Sequence, residues 1–283
     1  MRRISEAQIK QYHEQGFLVM PALFTKEEIA FFKSHYEAMR LAEKAERLAT
    51  VPEASADPLT IYPRIMQPHR RDEPSLRWLI DERLNEVMTT LLGQEPFAVQ
   101  TMFYFKPPGA RGQALHQDQY YLRVQPGTCM AAWMAVDDCD EANGCLRVVP
   151  GSHTWPLLCL TEADTAVSFT DVTVPLPEGT EAVAVPMKAG DVLFFNGQIV
   201  HGSLPNTSQD RFRRALIGHY IVGQAQQVYE WYHPVLQMNG RPIEMGVSHV
   251  GGTCGTWVDG RGEAELEMQV EVVNEQIFGT QGT

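Results

Sequence analysis

Residues 114–123 read Ala-Leu-His-Gln-Asp-Gln-Tyr-Tyr-Leu-Arg (ALHQDQYYLR) and place His116 and Asp118 two positions apart among apolar and aromatic neighbours. Side chains alternate across a strand, so residues i and i+2 share a face. Taken as a strand, the stretch presents His116, Asp118 and Tyr120 on one side and Gln117 and Gln119 on the other. A neutral imidazole beside a carboxylate supplies two corners of a metal site. The same pair also occurs on ordinary surface strands, so its meaning depends on what surrounds it.

From Pro96 onward, β-type runs follow one another: FAVQTMFYFK, ALHQDQYYLRV, CMAAWMAVDD, LRVVPGSH, AVAVPM, DVLFFNG and RRALIGHYIV. Turn residues separate them, as at Pro107-Pro108-Gly109, Pro126-Gly127, Glu141-Ala142-Asn143-Gly144 and Ala189-Gly190-Asp191. Many short strands without intervening helices predict a sandwich or jelly roll rather than a parallel α/β sheet. Upstream the pattern is helical. Ser5 and Gln8 form a capping box for a helix that stops near Gly16. The run GFLVMPALF reads as a strand. Thr25 and Glu28 form a second capping box ahead of Ile29, Phe32, Tyr36 and Met39 at helical spacing. A third helix is expected from Pro74 through Leu76, Ile80, Leu84, Val87 and Leu91 to Gly93. Residues 50–72 read as a long loop, a length often tied to function. The economical organisation is one domain over residues 1–283, with a helical region 1–93, a β core 96–222 and a C-terminal tail 223–283.

Composition narrows the function classes. The chain has 283 residues, 44% hydrophobic and 20% charged, as expected of a globular protein. Its formal net charge of -12 disfavours a surface built for nucleic acid. No run approaches the ~18 apolar residues of a membrane helix. The five cysteines, Cys129, Cys139, Cys145, Cys159 and Cys254, form no Cys-x-x-Cys pair and read as reduced thiols of a cytoplasmic protein.

Glycine-rich phosphate loops, Gly-x-Ser-x-Gly elbows and His-Glu-x-x-His pairs are absent from the sequence, which leaves histidine and carboxylate chemistry. A third ligand candidate is His201, which follows the run MKAGDVLFFNGQIV and precedes Gly202-Ser203. Two histidines and one carboxylate would form the open-faced set typical of non-haem Fe(II). Further on, RFRRALIGHYI carries Arg211, Arg213 and Arg214 at the head of a strand-like run. An arginine turned into a barrel needs an anionic partner, and a bidentate carboxylate suits it. Alternation gives Arg211 and Arg213 the same face and does not separate them.

Taken in order, His-x-Asp, GDVLFF…HGS and FRRAL resemble the phytanoyl-CoA dioxygenase family, as do the opening SEAQIKQYHEQGFLVMPALFTKEEIAFFK and the segment AAWMAVDDCDEANGCLRVVPGSH. The similarity covers roughly residues 5–222. It implies a mainly β fold with flanking α-helices, a double-stranded β-helix (jelly roll, cupin-like). It also implies an Fe(II)- and 2-oxoglutarate-dependent dioxygenase that consumes O2, releases succinate and CO2, and hydroxylates an unactivated C–H of a natural-product or lipid-like molecule. His116, Asp118 and His201 match the iron ligands. Arg213 best matches the arginine that binds the far carboxylate of 2-oxoglutarate, with Arg211 as competitor and Ser203 as a second donor. Gln100 and Trp133 fall where the family contacts the cosubstrate. Tyr120, His69 and Trp231 are candidates for the substrate mouth, and His219 reads as an ordinary strand histidine. The carboxylate at Asp118 argues against halogenation, since halogenating relatives carry a small residue there. Desaturation, cyclisation or epimerisation would use the same cofactors. A non-oxygenase metal enzyme or a binding protein on the same barrel are the rival readings. The acidic balance disfavours a highly anionic substrate such as a CoA ester, unless Arg64, Arg70 and Arg71 form a local basic patch. The expected partner is a small molecule.

Overall fold

The computed structural model describes residues 4–47, 57–249, 252–260 and 263–271. The first part of the predicted loop, residues 50–56, lies outside the described residues. The chain opens with α1 (Glu6–Gln15), β1 (Phe17–Met20), α2 (Lys26–Arg47), α3 (Pro58–Ile61), β2 (Ile65–Met66), α4 (Glu73–Leu79) and α5 (Glu82–Leu92). Then come β3 (Phe97–Tyr104), β4 (Gln113–His116), the five-residue helix α6 (Asp118–Leu122), β5 (Cys129–Ala135) and β6 (Leu146–Val148). The next strands are β7 (Thr161–Glu162), β8 (Val172–Thr173), β9 (Val183–Val185), β10 (Val192–Asn196), β11 (His201–Ser203) and β12 (Ala215–Ile221). Six more follow among the described residues: β13 (Gln227–Tyr229), β14 (Val235–Gln237), β15 (Pro242–Ile243), β16 (Gly246–Ser248), β17 (Gly252–Gly260) and β18 (Glu263–Glu271).

A large sheet runs β1-β10-β5-β12-β3-β14-β15, with β2 beside β3, and a smaller one runs β4-β11-β6-β9. The pairings within the large sheet are antiparallel. This is the two-sheet double-stranded β-helix, with the helices on one outer face.

The helical caps are those written in the sequence. Ser5 and Gln8 exchange both capping-box bonds, and α1 stops at Gly16, whose N–H returns to Tyr12 O. Thr25 and Glu28 make the equivalent reciprocal bonds ahead of α2. The predicted third helix is instead two. Its break comes at Ile80-Asp81, where the Asp81 side chain accepts from Arg83 N and starts α5 afresh.

Both faces of the central strands are covered, so β5 and β12 are buried at every position. Met130, Ala132 and Met134 pack under the helices with Tyr36, Trp78, Leu84 and Met88. Ala131, Trp133 and Ala135 point the other way, toward Leu193, Phe195, Ile199 and Ile217 between the sheets. Tyr36 stacks on Phe103 at 4.0 Å and its hydroxyl lies 2.7 Å from Ser75 Oγ, while Tyr220 Oη donates to Leu79 O at 2.7 Å. Each such side chain contributes about 1.5–3 kcal/mol of burial while its polar end stays satisfied. These contacts fix the sheet on which the site is built.

Two expectations change here. Cys159 and Cys254 form a disulfide, so the cysteines are not uniformly reduced thiols; Cys129, Cys139 and Cys145 are free and buried. The loop 156–159 and β17 also share backbone bonds, Gly255 N to Leu157 O and Cys159 N to Gly255 O. The pairing joins residues far apart in the sequence, which spacing could not reveal. The segment after residue 222 is also more than a tail, since β14 extends the large sheet beside β3 and β13 pairs with β16. Among the described residues no helix is long and apolar enough to cross a membrane.

Candidate active site

The quoted stretch is a strand only as far as His116. Gln117, in extended backbone, caps α6, and Asp118 is the first residue of that helix. Both glutamines act as ties. Gln117 Nε2 donates to Pro156 O and Gln198 O, and its Oε1 accepts from Leu158 N. Gln119 Nε2 donates to Val124 O and its Oε1 accepts from Cys129 N. The turn into α6 therefore sets Asp118 beside His116, which strand alternation had supplied for a different reason.

β11 pairs with β4 so that His201 lies opposite His116, and the two rings are 4.1 Å apart. One ligand atom from each of His116, Asp118 and His201 falls within 4.8 Å of the others, and all three residues are buried. The tautomers follow from the backbone. His116 Nδ1 donates to Ala114 O at 2.9 Å and His201 Nδ1 to Ile199 O at 3.1 Å, so both Nε2 lone pairs face inward. Gln113 Nε2 donates to His116 Nε2 at 3.1 Å, consistent with an unprotonated nitrogen there.

Burial lowers the His201 pKa to about 4, with His116 adding to the effect. Burial alone would raise the Asp118 pKa, but the His201, His219 and His116 rings around it outweigh this and hold the carboxyl well below its usual range. The site thus offers two neutral imidazoles and one carboxylate on one face, a donor set that fits Fe(II). His219 belongs to this arrangement. Its Nε2 donates to Asp118 Oδ2 at 3.0 Å, orienting the carboxylate. A histidine inside a hydrophobic strand pattern carries no sign of that partner, because Asp118 comes from a distant element.

The three arginines of RFRR separate cleanly. Arg211 pairs with Asp140 and Arg214 with Asp137, two acids of the turn after β5. Arg213 is buried, and no carboxylate among the described residues pairs with it. Its Nε donates to Gly144 O at 3.1 Å and its guanidinium lies 5.3 Å from the Trp133 ring centroid. Burial lowers the pKa of Arg213, the cost of holding its charge away from water with no carboxylate beside it. Residues 211–214 lie outside any strand, so alternation was not the property that distinguished them.

Ser203 lines the same cavity as Arg213. Its Oγ accepts from Lys106 Nζ at 2.9 Å and from Gln113 N at 3.3 Å, which leaves its own proton to donate into the cavity. Lys106 was not foreseen. It is buried, and its Nζ also donates to Gly144 O at 3.3 Å and to Leu204 O. Gly144 is required there. It has φ +74°, and a Cβ would meet Leu204 O at 2.5 Å and Lys106 Nζ at 2.7 Å.

One cavity joins these groups. It is lined by the triad, His219, Gln100, Trp133, Ser203, Arg213 and Tyr232, and, among more exposed residues toward its mouth, by Arg64, Met66, Tyr121, Phe169 and Trp231. Gln100 and Trp133 thus line the same cavity as the triad, and Trp231, which is exposed, lies at its rim. Tyr120 does not line the cavity. The helical turn sends it into the core, with the Arg123 guanidinium 4.6 Å from its ring, and presents Tyr121 instead. His69 is also elsewhere. It is buried on the 3-10 turn after β2, with Nδ1 2.7 Å from Thr101 Oγ1.

Comparison with known proteins agrees with this geometry. The phytanoyl-CoA dioxygenase family profile (PhyH) matches residues 12–215. Phytanoyl-CoA dioxygenase 1 of Oryza sativa subsp. japonica is 30% identical over 154 residues, 54% of this chain and 54% of that protein. The peroxisomal phytanoyl-CoA dioxygenase of Bos taurus is 28% identical over 232 residues, 77% of this chain and 68% of that one. The matched region thus spans about half the length of the rice relative. The α-ketoglutarate-dependent carbocyclase SnoK of nogalamycin biosynthesis shares the fold at TM-score 0.63 and 23% identity, over 85% of this chain and 94% of that one. The epimerase SnoN, in complex with Fe3+, α-ketoglutarate and nogalamycin RO, superposes at TM-score 0.60 with 18% identity, over 93% and 97% of the two chains. By the extent of the profile match and by the residues of its site, the chain belongs to the phytanoyl-CoA dioxygenase family.

Proposed function

We propose that this chain is an Fe(II)- and 2-oxoglutarate-dependent dioxygenase that hydroxylates an unactivated C–H bond of a small organic molecule. The observation that carries the reading is one cavity holding both a buried His-Asp-His face and a buried arginine with no acidic partner among the described residues. A structural metal site would not need the second feature. His116, Asp118 and His201 would hold the iron, and Arg213 with the Ser203 hydroxyl would take the far carboxylate of the cosubstrate.

When bound, iron(II) couples reduction of O2 to oxidative decarboxylation of 2-oxoglutarate. The balance is substrate C–H, O2 and 2-oxoglutarate going to substrate C–OH, succinate and CO2. The protein's share is orientation and exclusion of water. Trp133 and Gly144 O fix the guanidinium, Lys106 and Gln113 N fix the hydroxyl of Ser203, and His219 fixes Asp118.

The test is anaerobic titration calorimetry of the Fe(II)-loaded protein with 2-oxoglutarate, followed by a succinate-release screen over small molecules in air. Binding in the first step and stimulated release in the second are expected, both lost in His116→Ala, Asp118→Ala and His201→Ala. Absence of 2-oxoglutarate binding by the unaltered protein refutes the reading. Product mass separates the outcomes: hydroxylation gains an oxygen, desaturation or cyclisation loses two hydrogens, and epimerisation changes neither.

A further inference from the structure

Arg64 stands in the same cavity and has no role in the reading above. It is half-buried just before β2, and its guanidinium lies 5.0 Å from the Phe169 centroid and 5.6 Å from that of Tyr104. Its Nη1 donates to Tyr104 Oη at 3.3 Å, a neutral acceptor. No carboxylate among the described residues pairs with it, and of Arg64, Arg70 and Arg71 it alone is among the described residues lining the cavity. Arg70 donates to Trp231 O, and Arg71 pairs with Glu43. The basic patch expected of Arg64, Arg70 and Arg71 thus reaches the cavity, among the described residues, through Arg64 alone.

Asp118 is the only carboxylate among the described lining residues. With iron and cosubstrate in place, the two charges of Fe(II) and the one of Arg213 are matched by the two of 2-oxoglutarate and the one of Asp118. Arg64 is then a single positive charge left over among the lining groups. A half-buried guanidinium held between two aromatic faces is pre-organised for a planar anion. The walls beside it, Phe169, Tyr121, Met66 and Trp231, are aromatic or apolar.

We infer that the substrate is a monocarboxylate with an apolar or aromatic body, its carboxylate held by Arg64 and its body by the mouth of the cavity. A thioester on a polyphosphorylated carrier would call for several cations, and among the described residues Arg64 is the one cation lining the cavity mouth. The inference rests on the proposed function and narrows the substrate of that same site.

The test titrates the Fe(II)-loaded protein anaerobically, with and without 2-oxoglutarate, using matched probes: octanoate and octanamide, 4-phenylbutanoate and 4-phenylbutanamide, and octanoyl-CoA. At least one carboxylate is expected to bind about tenfold or more tightly than its amide. Arg64→Leu should remove that preference and Arg64→Lys should retain part of it. 2-Oxoglutarate should bind Arg64→Leu as it binds the unaltered protein, which also shows the variant to be folded. Equal binding of acid and amide, tighter binding of octanoyl-CoA than of octanoate, or no binding by either carboxylate overturns the inference. So does weakened 2-oxoglutarate binding in Arg64→Leu, which would assign Arg64 to the cosubstrate. Binding of 2-oxoglutarate to the unaltered protein reports on the function alone, so the two failures are distinguishable.

Discussion

At the scale of single residues, what distinguishes Arg213 from Arg211 is the company each keeps. Arg211 spends its charge on Asp140 in an exposed pair, the kind whose loss costs little. Arg213 is buried over Trp133 with a carbonyl as its acceptor, so a carboxylate arriving there gains a charge-assisted bond in a dry setting. Arg213→Leu should weaken 2-oxoglutarate binding to the Fe(II) protein about a hundredfold. Arg211→Leu should change it by less than about twofold. Equal losses in the two variants, measured by anaerobic calorimetry, would refute the assignment. The sequence offered both residues at matching spacing and could not choose. The deciding information was the acidic turn DDCDEANG, which lies far off in the chain and takes up Arg211 and Arg214.

Among elements, the sequence was most legible where structure is written locally. Both capping boxes and the glycine stop of α1 are short-range hydrogen bonds, and they appear as expected. The strands after Pro96 were announced by their turns. Where a local signal competed with a longer pattern, the reading failed. Asp81 capped a new helix inside an unbroken apolar repeat, and Gln117 ended a strand that alternation would have carried on through Tyr120. The ties on Gln117 come from residues 156, 158 and 198, so no window around ALHQDQYYLR contains them. The turn at Ala189-Gly190-Asp191 shows the opposite case, a local signal with a long-range reason. Gly190 has φ +97°, and a Cβ there would stand 2.4 Å from Phe24 O, whose own N–H donates to Gly190 O. Gly190→Ala should therefore cost about 2–4 kcal/mol, since backbone strain and a clash with backbone coincide. Urea unfolding that finds less than about 0.5 kcal/mol would show that the turn relaxes freely.

Across the whole molecule, the fold stores buried ionisable groups, and stability must follow pH accordingly. His69 is the clearest case remote from the metal ligands. Its backbone N–H donates to Thr101 Oγ1, and the same hydroxyl lies 2.7 Å from Nδ1. Burial lowers its pKa from 6.5 to about 4, and the charge of Arg70 adds to this. The folded-state value lies below the unfolded one, so the unfolded chain takes up the proton first as pH falls. The contribution is complete above about pH 6.5, declines through the interval, and is gone below about 4. Its full size is about 3 kcal/mol. The metal-free protein should thus lose stability on acidification from pH 7 to 4.5. His69→Gln, which cannot titrate, should lose less over the same range even if it begins less stable at pH 7. Chemical denaturation at a series of pH values reads the slope directly, and identical slopes for the two proteins would mean that His69 is already protonated, or already solvated, in the fold.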